Sequence, residues 1–161
     1  MKKLISLVCV ALLLCTMTAT ALANVSPAVV EPDMTAKDEI DAITNPIFKQ
    51  IAQRLNFSTG STPITTKIIE NLLKGRVEIV SGSLSELEGA VLASHVNTIK
   101  DGKMSCKALV GAEDVSKFTV MVMLPDGNVA FVKLTADMVD ADGNVTLPAP
   151  YNQGFGILLR K

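Results

Sequence analysis

The stretch "TVMVMLPDGNVAFVKL", residues 119–134, restricts the fold more than any other part of this 161-residue chain. Pro125 presets the first turn position, Asp126 suits the second and Gly127 accepts the left-handed third, so the chain doubles back there. A three-residue loop of this kind pairs Leu124 with Asn128 and thereby sets the register of two strands. One face then carries Val122 opposite Ala130, Val120 opposite Val132 and Phe118 opposite Leu134. The other carries Met123 opposite Val129, Met121 opposite Phe131 and Thr119 opposite Lys133. Both faces are apolar near the turn, and a strand pair without a polar face needs cover on both sides. That places the hairpin inside a sandwich, or between a sheet and a covering helix.

A second turn follows at "DADGN", residues 140–144. A calcium loop of the helix-loop-helix kind needs oxygen ligands at positions one, three and five, glycine at six and a bidentate acid at twelve. With Gly143 at six, Asp142 and Asp140 fall at five and three, but Met138 falls at one and Ala149 at twelve. Two indispensable ligands are missing. The stretch fits a turn of the first kind, with Ala141, Asp142 and Gly143 as loop and Val139 opposite Val145. The chain closes with a proline loop around Pro148 and Pro150 and a strand from Phe155 to Leu159.

The N-terminal half has a different period. Ile40, Ile43, Ile47, Ile51 and Leu55 recur at helical spacing, and Thr35 with Asp38 forms an approximate capping box. Pro46 interrupts this stripe, but it suits the first residue of a new helix capped by Asn45. The expectation is a short helix over 36–44 and a firmer one over 46–56. Thr62 and Pro63 repeat the start signal, Ile64, Ile68 and Leu72 share a face with Ile69 and Leu73 beside it, and Gly75 supplies a stop. This predicts a third helix over 63–74. Three short helices cover one another only partly, so their stripes need another surface.

Between the two halves, "RVEIVSG" predicts a strand over 76–80. "SLSELEGAVLASHVNTIK", residues 83–100, is ambiguous. Ser83 with Glu86 and Ser85 with Glu88 are helix-start signals and favour a helix over 84–97. Gly89 and the β-branched Val96, Thr98 and Ile99 favour instead a strand after Gly89, joined through an Asp101-Gly102 turn to residues 104–110. The fold class that follows is α+β: an N-terminal helical segment over 35–75 packed on a small antiparallel β-sandwich or barrel-like part over 76–161.

The chain begins with Lys2 and Lys3, an apolar run from Leu4 to Cys15, and small residues ending in Ala21-Leu22-Ala23. That order predicts a secretory signal peptide over 1–23, cleaved after Ala23. The apolar core is too short for a spanning helix of roughly 20 residues. Cys15 also invites a lipoprotein reading, but Leu14 stands where such signals carry a small residue. "NVSPAVVEPDM", residues 24–34, reads as a flexible leader. The expected mature protein is therefore secreted or extracytoplasmic, with no permanent membrane span.

Loss of the leader takes Lys2 and Lys3 from the 15 basic residues and none of the 16 acidic ones, which moves the formal net charge from −1 to about −3. No basic run exceeds Arg160-Lys161, so nucleic acid is not an expected partner. Cys9 and Cys15 leave too, and Cys106 remains without an internal disulfide partner. It is a buried small hydrophobe, a thiol that links two copies into a disulfide-bonded dimer, or a reactive group.

Little else offers chemistry. His95 is the single histidine, and a Cys106–His95 pair lacks an identifiable third member. Two such ligands do not complete a zinc site. Asp137 with Asp140, and Glu86 with Glu88, are better explained as turn and helix-start residues than as a glycosidase pair. With no Trp and one Tyr, Tyr151, a sugar-gripping aromatic face is not expected. No catalytic residue, metal or cofactor is assigned. The remaining hint is apolar: Met121, Met123 and Phe131 share one hairpin face, and methionine-rich surfaces adapt to partners. Either helices cover that face or it is a protein-contact or apolar-ligand surface, and the expected partner is an unknown protein or cell-surface component. The functional expectation is a secreted, non-catalytic binding or interaction protein of the bacterial envelope or extracellular space. The alternative is a small secreted enzyme or apolar-ligand carrier with a pocket between helices and sheet.

Overall fold

The computed structural model describes residues 34–56 and 66–161. The expected signal peptide, most of the expected leader, the break at 57–65 and the start expected for the third helix lie outside the described residues. Among the described residues three helices, α1 (Met34–Ala42), α2 (Pro46–Asn56) and α3 (Thr66–Leu73), precede seven strands. These are β1 (Ile79–Ser81), β2 (Val91–Lys100), β3 (Lys103–Ser105), β4 (Phe118–Met123), β5 (Val129–Lys133), β6 (Asn144–Thr146) and β7 (Gln153–Arg160). The protein is α+β, with a short helical N-terminal part and a half-barrel of one seven-stranded sheet in the order β1-β5-β4-β7-β2-β3-β6. Among the described residues no helix is long and apolar enough to cross a membrane.

The hairpin has the predicted register from Thr119 opposite Lys133 to Met123 opposite Val129. Its loop closes with the Leu124 amide donating to the Asn128 carbonyl at 2.8 Å. Strand alternation then sends its two apolar sets to two separate cores. On the helical side, Met121, Met123, Val129 and Phe131 join Ile157 and Leu159 of β7 and meet Ile40, Phe48, Ile51 and Leu55 of the helices. On the concave side, Val120, Val122, Ala130 and Val132 join Leu158, Met104, Val145 and Cys106. The strand that closes the chain is the centre of the sheet, flanked by β4 and β2, and its residues 156–159 are buried. Gly156 leaves room for the curl: a Cβ there would stand 2.7 Å from the Met104 sulfur reaching over from β3.

Three expectations are corrected. Residues 84–97 are not a helix: a 3-10 turn over Leu84–Leu87 ends at Gly89 (φ 76°), and the ten-residue β2 follows. The β-branched residues after Gly89 outweigh the serine-glutamate start signals because a strand here buries Leu92 and Val96 on one core and Ile99 on the other. Its main partner is β7 rather than β3, which it meets at the Lys100–Lys103 pair. The 76–80 strand is shorter, sits at 79–81, and runs parallel to β5 in an otherwise antiparallel sheet. The α+β expectation holds, and of its sandwich and barrel-like alternatives the half-barrel sheet realises the second.

Candidate functional site

The corner between α1 and α2 is built by one residue. Asn45 Oδ1 accepts from the Ile47 amide at 2.9 Å and the Phe48 amide at 3.3 Å, with Pro46 as the first helical residue. Such a cap is worth about 1 kcal/mol and lets the chain turn sharply after Thr44. The corner hangs over one end of the sheet, where the Asn45 amide reaches the hairpin turn, 3.6 Å from where a Cβ on Gly127 would be. There the helices do not close the gap completely.

What remains is a cavity of about 420 Å³. Its wall is the corner itself, with Ile43, Thr44, Asn45 and Phe48. Its floor follows from the register: Thr98 of β2 faces Phe155 of β7, which faces Met123 of β4. Two pairs outward, Lys100 faces Gln153. Leu124 and Pro125 of the hairpin turn complete the apolar side. Ile43 and Met123 are buried at the inner end, while Lys100, Gln153 and Thr44 are exposed. Apolar surface within and polar groups at the mouth are the ordinary composition of a small-molecule site, and the volume lies in the usual range of about 300–1,000 Å³. No protein family, curated protein or solved structure matches the chain. The reading of this site therefore rests on its own geometry.

The Met121, Met123 and Phe131 face is not an open surface: their exposures are 0, 0 and 3%. The helices cover it because their stripes and this face are each other's nearest apolar partner. Only Met123 reaches the cavity. Among the described residues, the large apolar side chains left exposed are Val80 and Val110.

Cys106 is free and wholly buried in the concave core. It sits beside a bulge in β2, where the five residues from Leu92 to Val96 lie opposite the three from Leu159 to Ile157 of β7. Asn97 organises that bulge: its amide donates to Ser94 Oγ at 3.0 Å and the His95 carbonyl at 2.7 Å, and stands 3.9 Å from Cys106 Sγ. The His95 ring nitrogens are buried without a hydrogen-bond partner among the described residues, so the imidazole does not act on the thiol. Burial pushes the Cys106 thiol from 9.0 up to about 12, against a smaller lowering by Ser94. A thiol so placed is neither a nucleophile nor in reach of a second copy, which removes the basis for a disulfide-linked dimer.

This has a pH consequence. The unfolded chain's thiol ionises from about pH 9 while the folded one stays protonated, so its contribution is complete below pH 9 and is lost as pH rises towards 12. The slope is roughly 1.4 kcal/mol per pH unit. Urea unfolding at pH 8 and pH 10.5 should show the wild type losing about 2 kcal/mol more than Cys106→Ala. Equal losses would place the thiol in contact with water. Ellman's reagent should label Cys106 only after denaturation.

The acidic residues serve turns. Asp140 accepts from the Asp142 amide at 3.0 Å, the Asn144 amide at 2.8 Å and the Asn144 side chain at 2.9 Å. The Asn144 side chain, chiefly, holds its carboxyl below the usual range, as the Thr135 hydroxyl does for Asp137. Acids held ionised do not donate protons to a leaving group. The Val139–Val145 pairing completes this turn as expected. Among the described residues no three metal-ligating side chains converge. Tyr151 packs half-buried against the concave core rather than standing free.

The signal missed in the sequence was the junction at Thr44-Asn45-Pro46. It was legible as a cap, but a cap does not say which strand end lies beneath it.

Proposed function

We propose that this chain is a secreted, non-catalytic binding protein acting at or outside the cell envelope, and that it takes a small ligand in the cavity beneath the α1–α2 corner. The single observation that carries the binding role is the 420 Å³ cavity, apolar at its inner end and polar at its mouth, between helices and sheet. The non-catalytic reading is supported by a thiol held protonated and by turn acids held ionised. Secretion is supported by the order of Lys2-Lys3, apolar run and small residues at the start of the chain. The carrier alternative gains over a protein-interaction role because the methionine face is covered while the cavity is open to the exposed Thr44, Lys100 and Gln153.

The chain contains no Trp, so Phe155→Trp places one reporter in the cavity floor. Titration with 1-anilinonaphthalene-8-sulfonate should quench that reporter saturably, with one probe per chain, by energy transfer. In the otherwise wild-type chain, Thr98→Trp fills the floor and should abolish the probe's own fluorescence gain. Absence of saturation, or the same gain in the filled variant, would refute the site.

A further inference from the structure

Resting on the reading of this cavity as a ligand site, we infer that its ligand is an anionic amphiphile: an apolar chain or ring body carrying a carboxylate, sulfate or phosphate, with the anion at Lys100. The cavity has an axis. At its inner end lie Ile43, Phe48 and Met123, and beyond the Thr98–Phe155 pair lie Lys100 and Gln153, neighbours across the β2–β7 ladder. Side chains two apart on a strand share a face, so Thr98 and Lys100 both project to the helical side. Lys100 is the one charged residue among those lining the cavity, and it has no ion-pair partner among the described residues. The amide of Gln153 and the hydroxyl of Thr44 add hydrogen-bonding capacity at the same mouth.

A competing charge beside the floor is Glu39 of α1, whose carboxylate accepts a hydrogen bond from Thr98 Oγ1. That bond occupies the Glu39 carboxylate, and Glu39 does not line the cavity. A cation at the mouth of an apolar cleft discriminates by charge sign, because an anion gains a charge-assisted contact where a cation meets repulsion. A neutral amphiphile of the same length gains only the apolar contact.

The test uses ten-carbon ligands below their micelle concentrations: decanoate, decyl sulfate, decanol and decyltrimethylammonium, each titrated calorimetrically into the full mature chain. Decanoate and decyl sulfate should bind at least tenfold tighter than decanol. Lys100→Met should erase that preference, Lys100→Arg should keep it, and Glu39→Gln should increase it. Equal binding of decanoate and decanol by the wild type, or a preference surviving Lys100→Met, would overturn the anionic assignment while leaving the cavity as a binding site. Tightest binding of decyltrimethylammonium would overturn it by reversing the sign. Binding by none of the four, or undiminished binding to Thr98→Trp, would overturn the cavity reading together with this one.

Discussion

Phe131→Ala should lower the unfolding free energy by about 3–5 kcal/mol, the range for deleting a buried phenylalanine side chain. Phe131 is 3% exposed and shares its core with Met121, Met123 and the helix residues Phe48 and Ile51. The loss combines the transfer of the ring with a void that two layers of secondary structure cannot both collapse into. Had this face been a partner-binding surface, the same substitution would change stability by less than about 0.5 kcal/mol, as exposed substitutions do. Urea unfolding followed by far-ultraviolet circular dichroism separates the two. A small change would mean that the helices do not seal the sheet in solution. Met121→Ala, at 0% exposure, should follow in the same direction by about 2–5 kcal/mol.

Gly154→Ala should cost about 3 kcal/mol and abolish probe binding in the cavity, whereas Gly89→Ala should cost about 1 kcal/mol and leave binding intact. Both glycines have positive φ, 129° and 76°. They differ in their surroundings. A Cβ on Gly154 would run into the Met123 carbonyl oxygen and stand 3.5 Å from Leu124 Cα, whereas a Cβ on Gly89 has nothing within 4 Å. Backbone conformation alone therefore accounts for the smaller effect, and the difference between the two variants measures the close approach of β7 to β4. Since Met123, Leu124 and Gly154 line the cavity, any shift that relieves the clash moves its floor. Similar losses in the two variants would show that the strands separate without cost.

The parts of the fold legible from sequence were those decided by neighbours in the chain. The Pro125-Asp126-Gly127 loop dictates which residues oppose each other whatever the rest of the protein does, and the register of β4 with β5 follows. Asn45 and Pro46 likewise specify a cap and a first turn between themselves. Residues 91–100 depended on a partner more than 50 positions away: they become a ten-residue strand because β7 is there to pair with it. Local helix-start signals at Ser83 and Ser85 hold for no more than a 3-10 turn. The same distinction applies to function. Cys106 and His95 were visible as residue types, but only the bulge at 92–96 and the Asn97 contacts show that they do not cooperate. The cavity draws its lining from the α1–α2 corner, α2, β2, β4, the hairpin turn and β7, and no single stretch of sequence contains enough of it to reveal it.

The sheet's two outermost strands, β1 and β6, are three residues each. On its outer side β6 is already met by its own turn, through the Val139–Val145 bridge and the Asp140 amide donating to Asn144 at 3.0 Å. A foreign β-strand would find only a short, partly occupied ladder to extend, so concentrated solutions of this protein should resist the edge-to-edge growth that leads from sheets to fibrils.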